Sequence, residues 1–333
     1  MAALAVLGAG AWGTALAIAL ARSSDALAPR HRVALWARDP EQAKAIAAAR
    51  SNQHYLPEIA LPESLQVGSD LEAAVSRAEM LIAATPAAGL RDLLGRLRGL
   101  KSPLLWLCKG FEQESAALPH EIVAACAIRA PCGALSGPSF ALEVAQGLPC
   151  ALTLASADAA FAANAAAQLH GGRLRVYHSD DVIGVEIGGA VKNVLAIAVG
   201  ICDGLGLGQN ARAALITRGL AELARLGVAL GARTETVMGL TGAGDLVLTA
   251  TGDLSRNRRV GLELARGAGL EAIVAGLGHV AEGVRSARAT LARAASCGVE
   301  MPITAAVNAV LEGRLSPQQA VELLLARDPK GET

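Results

Sequence analysis

One short segment decides the fold of this chain: Ala3-Leu4-Ala5-Val6-Leu7-Gly8-Ala9-Gly10-Ala11-Trp12-Gly13. An apolar strand pattern runs directly into the spacing G-x-G-x-x-G, and a helical pattern follows over residues 14–22. In this context Gly8 makes a tight turn, Gly10 lets a pyrophosphate approach the backbone, and Gly13 lets the helix pack close to the strand. The start of the helix offers N–H groups and the positive end of its dipole to phosphates. The segment therefore predicts a dinucleotide-binding unit.

The composition narrows the class of protein. A length of 333 residues suffices for two domains, and the net charge of zero gives no sign of a nucleic-acid partner. Residues 1–21 carry no charged side chain, but a glycine turn interrupts them, so we expect neither a signal sequence nor a membrane span. The scattered cysteines and histidines show no ligand spacing, which predicts free thiols in a reducing compartment and no metal.

Strands and helices alternate in the first half of the chain. Helical patterns at Pro40–Arg50, Gly89–Leu97 and Ala116–Arg129 lie between several apolar runs, and this alternation predicts parallel βαβ units with helices on both faces of a sheet. The predicted strands are Ala3–Leu7, Arg32–Trp36, Met80–Ala84, Leu104–Leu107, Gly133–Leu135, Ala151–Leu154 and Leu174–Tyr177.

After Ser179 the pattern becomes helical. Asp180 and Asp181 are typical of an N-cap and a first turn, and a long helix follows from Val182 to Asp203. We therefore predict an α/β protein, with a Rossmann-type parallel sheet over residues 1–180 and an all-helical domain over residues 181–333. The other predicted helices are Asn210–Leu230, Asn257–Arg266, Glu282–Ser296, Thr304–Leu311 and one that begins after Ser316.

The end of the second strand bears on the choice of cofactor. NAD-selective folds carry an acidic residue near this point, which bonds the ribose hydroxyls. Here Ala37 is apolar and Arg38 follows, which suits a 2′-phosphate. The sequence favours NADP, with NAD as the alternative because Asp39 is adjacent.

Two further strands end in loops that contain glycine. Lys109 follows one strand, and Gly137-Pro138-Ser139 follows another. Because the carboxyl ends of parallel strands face the ligand crevice, Lys109 is suited to hold an anion and Ser139 to cap the next helix within a binding turn. A surface loop and a simple capped turn explain these residues equally well.

The helix at residues 182–203 contains glycines at 184, 188 and 189, which lower its helix propensity. Such small residues let a ligand or another helix approach closely. Lys192 and Asn193 form a polar pair among apolar residues. Since lysine is rarely buried, Lys192 either lines a cleft as a general acid or base, or snorkels to the surface.

A candidate anion site lies further along the chain. The polar, glycine-rich stretch Thr241–Thr249 precedes Ser255-Arg256-Asn257-Arg258-Arg259. Ser255 is a suitable N-cap, and Arg256 falls in the first turn of a helix. Cations oppose the dipole at a helix N-terminus unless an anion neutralises both, so this segment favours phosphate binding over a solvated basic surface.

Together, and in this order, these segments resemble the bacterial type of NAD(P)-dependent glycerol-3-phosphate dehydrogenase over essentially the whole chain. The resemblance implies a Rossmann domain, a helical domain of the 6-phosphogluconate-dehydrogenase type, and a homodimer. It also implies a cytoplasmic enzyme that interconverts dihydroxyacetone phosphate and sn-glycerol 3-phosphate for glycerophospholipid synthesis. The shared motifs are G-A-G-x-W-G-T-A-L-A, K-G-F-E, L-S-G-P-S-F-A-x-E-V-A, G-V-E-I-G-G-A-V-K-N-V, A-L-I-T-R-G-L-x-E, G-L-x-G-x-G-D-L and S-R-N-R.

The resemblance also implies roles for individual residues. Lys192 is implied as the proton acceptor, with Asn193 and Asp245 beside it as catalytic residues. The implied substrate contacts are Lys109, Gly137, Ser139, Lys192, Asp245, Thr249, Ser255, Arg256 and Asn257. The expected cofactor contacts are Gly8, Gly10, Ala11 (in place of the usual serine), Trp12, Gly13, Arg38, Lys109, Ala141, Arg256, Val280 and Glu282.

Two other functions are compatible with parts of this pattern. A related 3-hydroxyacid dehydrogenase would need a carboxylate site in place of Ser255-Arg256-Asn257. A non-catalytic NAD(P)-sensing module would bind the dinucleotide without turnover and would not need Lys192. The convergence of polar residues on one complete reaction site favours the dehydrogenase of glycerol 3-phosphate.

Overall fold

The structure is a computed structural model, and it describes residues 2–22, 31–277 and 281–326. The chain divides into two compact units. The first comprises residues 1–109 and 119–185, and the second comprises residues 110–118 and 186–333.

A large sheet forms the centre of the first unit. The strands in the described residues are β1 (Ala3–Leu7), β2 (Arg32–Trp36), β3 (Ser51–Asn52), β4 (Leu56–Ala60), β5 (Gln66–Gly68), β6 (Met80–Ala83), β7 (Leu104–Trp106), β8 (Cys132–Ser136), β9 (Cys150–Ala155) and β10 (Leu174–Ser179). The sheet has the order β10-β9-β8-β7-β6-β1-β2-β5, while β3 and β4 pair separately. From β5 to β8 this is the strand order 3-2-1-4-5-6 of dinucleotide-binding folds, which confirms the Rossmann-type sheet.

Helices cover this sheet. They are α1 (Ala11–Ala21), α2 (Pro40–Ala49), α3 (Leu71–Ser76), α4 (Ala87–Arg96), α5 (Pro119–Ala125), α6 (Ala141–Gln146) and α7 (Ala159–Leu169). All seven predicted strands are present, with ends shifted by at most two residues. The sequence patterns did not predict β3, β4, β5, α3 or α7; β3 and β5, of two and three residues, are too short to show a period.

The predicted parallel sheet has one antiparallel pair, which is β8 and β9. The connection between them contains only α6, whose six residues rise about 9 Å. A strand of five residues spans about 16 Å, which the rise of α6 alone does not cover. The connection between β9 and β10 contains the longer helix α7, whose eleven residues rise about 16 Å, and these two strands are parallel.

Helices form all the regular structure of the second unit within the described residues. They are α8 (Val182–Gly204), which starts in the first unit, α9 (Gly208–Ala229), α10 (Thr234–Val237), a π-helix (Leu240–Gly244), α11 (Asp245–Thr251), α12 (Arg256–Ala265), α13 (Leu270–Gly276), α14 (Glu282–Ser296), α15 (Pro302–Leu311) and α16 (Pro317–Leu325). The Asp181 carboxylate accepts from the Gly184 N–H at 2.8 Å, so the cap expected at the pair Asp180–Asp181 is present at Asp181.

Helix α8 is apolar on almost every side. Among the described residues it is the one helix with the length and composition to cross a membrane, but 89% of its most apolar window is buried inside the fold. A helix that is apolar all round and covered by protein is the core helix of its domain.

Glycines bring α12 into backbone contact with α8. A Cβ atom on Gly200 would lie 2.0 Å from the Arg258 carbonyl oxygen, and one on Gly261 would lie 2.1 Å from the Ile197 carbonyl oxygen. No side chain fits at either position. This close packing places the first turns of α12 beside the C-terminal half of α8.

Candidate active site

The glycine turn after β1 has the geometry that the sequence predicts. Gly8 has a φ of +133°, and a Cβ on it would lie 2.6 Å from the Ala84 carbonyl oxygen. A Cβ on Gly13 would lie 2.0 Å from the Gly8 carbonyl oxygen. Both glycines are therefore required by the fold itself, Gly8 for the turn and Gly13 for the close approach of α1.

Gly10 is different, because the protein does not require it to be glycine. Its φ is −76°, which any residue adopts, and a Cβ on it would have no described atom within 4 Å. Gly10 is also the N-cap of α1 and makes no side-chain cap, so the first turn of the helix keeps N–H groups for a ligand. This open cradle fits the pyrophosphate of a dinucleotide. Ala11 and Trp12 begin α1, and Trp12 packs against the core.

Two charged neighbours at the end of β2, Arg38 and Asp39, have different surroundings. The Asp39 carboxylate accepts from the Glu41 N–H at 2.9 Å and caps α2. Arg38 is exposed. Asp39, whose presence beside Arg38 kept NAD as the alternative cofactor, thus serves as a helix cap.

The structure brings three predicted substrate contacts together in the first unit. The Gly137 carbonyl oxygen accepts from Lys109 Nζ at 3.2 Å and from Ser139 Oγ at 3.0 Å. The prediction that Ser139 caps the next helix is wrong, because its hydroxyl turns back to Gly137 and α6 begins one residue later with Phe140 as its N-cap. Ala141 is the first residue of α6.

In the second unit, Lys192 lies in a buried polar cluster. Its side chain is 8% exposed and forms an ion pair with Asp245, whose side chain is 1% exposed. Lys192 Nζ also donates to Thr249 Oγ1 at 3.0 Å, and this hydroxyl donates to the Asp245 carbonyl oxygen at 2.6 Å. The snorkelling alternative is therefore wrong, because the ammonium group has a buried carboxylate as its partner.

A π-helix positions Asp245 for this pairing. It spans Leu240–Gly244, directly before α11, and packs on α8 so closely that a Cβ on Gly188 would lie 2.0 Å from the Thr241 carbonyl oxygen. Gly242 is equally constrained, since a Cβ there would lie 1.8 Å from the Val237 carbonyl oxygen. Gly188 and Gly242 therefore each allow one backbone to approach another closely. The polar, glycine-rich pattern of this stretch does not predict a π-helix.

Asn193 belongs to a second cluster. Asn257 Nδ2 donates to Asn193 Oδ1 at 2.9 Å, and Asn193 Nδ2 donates to Glu282 Oε2 at 3.3 Å. Asn257 Oδ1 in turn accepts from the Gly283 N–H at 3.0 Å. Neighbours on a helix point about 100° apart, so Asn193 adjoins Lys192 in sequence while its side chain joins residues predicted to bind substrate and cofactor.

The start of α12 carries the predicted anion site. Ser255 Oγ accepts from the Arg258 N–H at 3.2 Å, which confirms the N-cap. Arg258 bonds to Asp203 at 2.9 Å and to Asp253 at 3.0 Å, so two carboxylates neutralise it. Arg256 is exposed and in the first turn. Arg256 and the N-terminal end of the helix, rather than the whole basic run, are therefore the features suited to bind an anion.

The predicted cofactor contact Val280 lies outside the described residues. The described residues contain no group of three or more histidine, cysteine, aspartate or glutamate side chains suited to a metal.

Two residues near the glycine turn escaped the sequence analysis. The side-chain amides of Gln42 and Asn52 both donate to the Ala9 carbonyl oxygen. No local pattern marks them, because they lie more than 30 residues along the chain from the turn.

A buried lysine–carboxylate cluster in a chain with a Rossmann-type sheet is typical of the nicotinamide-dependent dehydrogenases. The family model described as the NAD-dependent glycerol-3-phosphate dehydrogenase N-terminus matches residues 3–162, and the model for its C-terminus matches residues 181–322. This chain belongs to the NAD-dependent glycerol-3-phosphate dehydrogenase family.

Individual relatives agree with this assignment. The glycerol-3-phosphate dehydrogenase [NAD(P)+] of Dechloromonas aromatica is 59% identical over 332 residues, which cover 99% of both chains. The corresponding protein of Methylibium petroleiphilum is 58% identical over 99% of this chain and 98% of its own. A crystal structure of glycerol-3-phosphate dehydrogenase from Coxiella burnetii matches with a TM-score of 0.92 and 42% identity, covering 98% of this chain and 99% of that one.

Proposed function

We propose that this protein catalyses the reversible, NAD(P)-dependent reduction of dihydroxyacetone phosphate to sn-glycerol 3-phosphate. In this proposal residues 1–180 bind the dinucleotide, and residues 181–333 carry the substrate and catalytic groups. The protein acts in the cytoplasm as a homodimer and supplies glycerophospholipid synthesis. The observation that carries the proposal is the buried ion pair of Lys192 and Asp245, reinforced by Thr249, in a member of this family.

Lys192 is the proposed acid and base. The bound nicotinamide dinucleotide supplies or accepts the hydride. As the substrate carbonyl is reduced, Lys192 Nζ donates a proton to the C2 oxygen, and in the reverse direction it removes that proton. Asp245 stabilises the ammonium form in a site from which water is excluded, and Thr249 orients it as a hydrogen-bond acceptor. Asn193 acts in this scheme through its bonds to Asn257 and Glu282.

The proposed phosphate site is the start of α12. Ser255 caps the helix, Arg256 presents its guanidinium group to solvent, and Asn257 is held by Asn193. Binding the phosphate at a distance from the reacting carbon fixes the position of that carbon. Lys109, Gly137, Ser139 and Thr249 are further proposed substrate contacts. The remaining predicted cofactor contacts, including Ala141, Val280 and Glu282, stay predictions.

The proposed preference for NADPH rests on Arg38. Its side chain is exposed at the end of β2, and the neighbouring Asp39 carboxylate is occupied as a helix cap. An arginine suits the 2′-phosphate of NADPH by charge-assisted hydrogen bonds. We expect Arg38→Ala to lower kcat/KM for NADPH about tenfold or more and to change that for NADH little. Equal losses with both cofactors would contradict this role.

The test of the proposed function is the oxidation of NADPH, and separately of NADH, by the purified protein with dihydroxyacetone phosphate. We expect loss of absorbance that depends on the substrate and is faster with NADPH. Lys192→Ala should lower kcat at least about 100-fold while NADPH still binds. No turnover by a folded protein that binds NADPH would refute the proposal. Turnover of an unphosphorylated 3-hydroxy acid instead would identify a related dehydrogenase.

A further inference from the structure

The carbonyl group at the centre of the glycine turn is held by two side chains from outside the turn. The Ala9 oxygen accepts from Asn52 Nδ2 at 3.0 Å and from Gln42 Nε2 at 3.1 Å. Asn52 Nδ2 also donates to Thr14 Oγ1 at 2.8 Å. Its two amide hydrogens therefore join the turn to the first turns of α1. Asn52 is 1% exposed and Thr14 is 0% exposed, so water does not compete for these bonds.

The anchored oxygen fixes the direction of a neighbouring donor. In a trans peptide the carbonyl and the N–H of the same unit point in opposite directions. Holding the Ala9 oxygen toward Asn52 and Gln42 turns the Gly10 N–H the other way. If this peptide rotated, a carbonyl oxygen would take the place of that N–H and would repel a phosphate. The space over Gly10 is open, as a Cβ there would meet no described atom within 4 Å.

Asn52 is not explained by its contribution to stability alone. Its Oδ1 atom is buried and has no hydrogen-bond partner among the described residues. An unpartnered buried acceptor lowers the free energy of unfolding, and an apolar side chain would avoid this cost. The Asn52 side chain is thus used for its two donated hydrogen bonds, both of which go to the turn and to α1.

We propose that Asn52 is a positioning residue for dinucleotide binding, which holds the Ala9–Gly10 peptide with its N–H toward the pyrophosphate. This inference rests on the proposed function, in which the glycine turn binds the pyrophosphate. Gln42 supports the same oxygen from α2 as the second donor.

The experiment measures the dissociation constant of NADPH for the full-length protein, together with kcat and both KM values. We expect Asn52→Ala to raise the Kd and KM of NADPH about tenfold, as the loss of one or two buried hydrogen bonds predicts. The kcat at saturating NADPH and the KM for dihydroxyacetone phosphate should change less than about twofold, since a correctly bound cofactor meets unchanged catalytic groups.

Leu56→Ala is the matched control. Leu56 is buried and pairs with Asn52 in the same small sheet, but it makes no bond to the turn. It should lower the melting temperature without raising the Kd of NADPH. An Asn52→Ala protein that folds and binds NADPH like the wild type would overturn the inference, as would a Kd that rises equally in Leu56→Ala.

Gln42→Ala decides the matter if Asn52→Ala does not fold. Gln42 is only half-buried, and its removal takes one donor from the same oxygen. A rise of about threefold in the Kd of NADPH supports the role of the anchored carbonyl, and an unchanged Kd refutes it. A wild-type protein that fails to bind NADPH would refute the proposed function itself, and it is measured in the same titration.

Discussion

The buried pair of Lys192 and Asp245 predicts a stability pattern that differs from its effect on activity. Their side chains are 8% and 1% exposed, so each charge relies on the other rather than on water. Removing one partner of such a pair costs about 3–5 kcal/mol, because an uncompensated charge stays buried. Replacing both partners by uncharged side chains of similar shape is often close to neutral.

We therefore expect Lys192→Met and Asp245→Asn each to lower the free energy of unfolding by about 3–5 kcal/mol. The free energy of unfolding of a typical domain is about 5–15 kcal/mol, so this loss is a large part of it. The double variant should recover most of that loss, while all three variants lose at least about 100-fold in kcat. Restored stability without restored turnover would separate the electrostatic pairing from the proposed catalytic role of Lys192.

The assay is urea unfolding followed by circular dichroism, with kcat measured on the same preparations. The pair Lys44–Glu41 provides the control, since it has an N–O distance of 2.7 Å but side chains that are 73% and 78% exposed. The same cycle there should give a coupling below about 1 kcal/mol. A double variant at 192 and 245 no more stable than the weaker single variant would refute the reasoning, because the two charges would then not depend on each other.

Three more perturbations test other parts of the structure. Arg256→Ala should raise the KM for dihydroxyacetone phosphate at least about tenfold with little change in kcat. The control Arg259→Ala, on the same helix, should leave this KM unchanged, and equal effects of the two substitutions would place the phosphate elsewhere. Gly188→Ala should lower the free energy of unfolding by more than about 1 kcal/mol, because its Cβ would lie 2.0 Å from a backbone oxygen. The control Gly95→Ala, in open space within α4, should raise the free energy of unfolding slightly, and thermal unfolding measures both. Burial raises the pKa of Glu222 above its ordinary 4.5, against the hydrogen bonds that lower it, so the native state holds this proton more tightly than the unfolded state. The contribution of Glu222 to stability should therefore fall as the pH rises from about 4.5 through the raised pKa. Urea unfolding over this pH range should show the stability of the wild type falling relative to that of Glu222→Gln. The opposite trend would contradict a raised pKa for Glu222.

The local elements of the fold could be predicted because their signals are short in range. The glycine turn, the seven predicted strands and the caps at Asp181, Ser255 and Ser316 are all present. Each depends on a hydrogen bond or a backbone angle set within a few residues. The family motifs likewise marked Lys192 and Asp245 as site residues.

Pairings between distant parts of the chain could not be predicted. Asp245 meets Lys192 from 53 residues away, and only through a π-helix that packs on Gly188. Asn193 could not be separated from Lys192 by sequence, since only the helix geometry directs its side chain to Asn257. Glu222 ends one of the family motifs, but its carboxylate caps α15 from 81 residues away.

The sequence by itself determined the glycine turn, the two-part architecture and the residue types of the candidate site, because strand period, glycine spacing and capping are local properties of the chain. Only the tertiary structure decided which polar groups are paired, buried or exposed. Arg258 is neutralised by Asp203 while Arg256 stays exposed, and Asn52 reaches a carbonyl 43 residues before it. Such pairings depend on the close approach of backbones at glycines and on the exclusion of water, and both arise only when the elements pack.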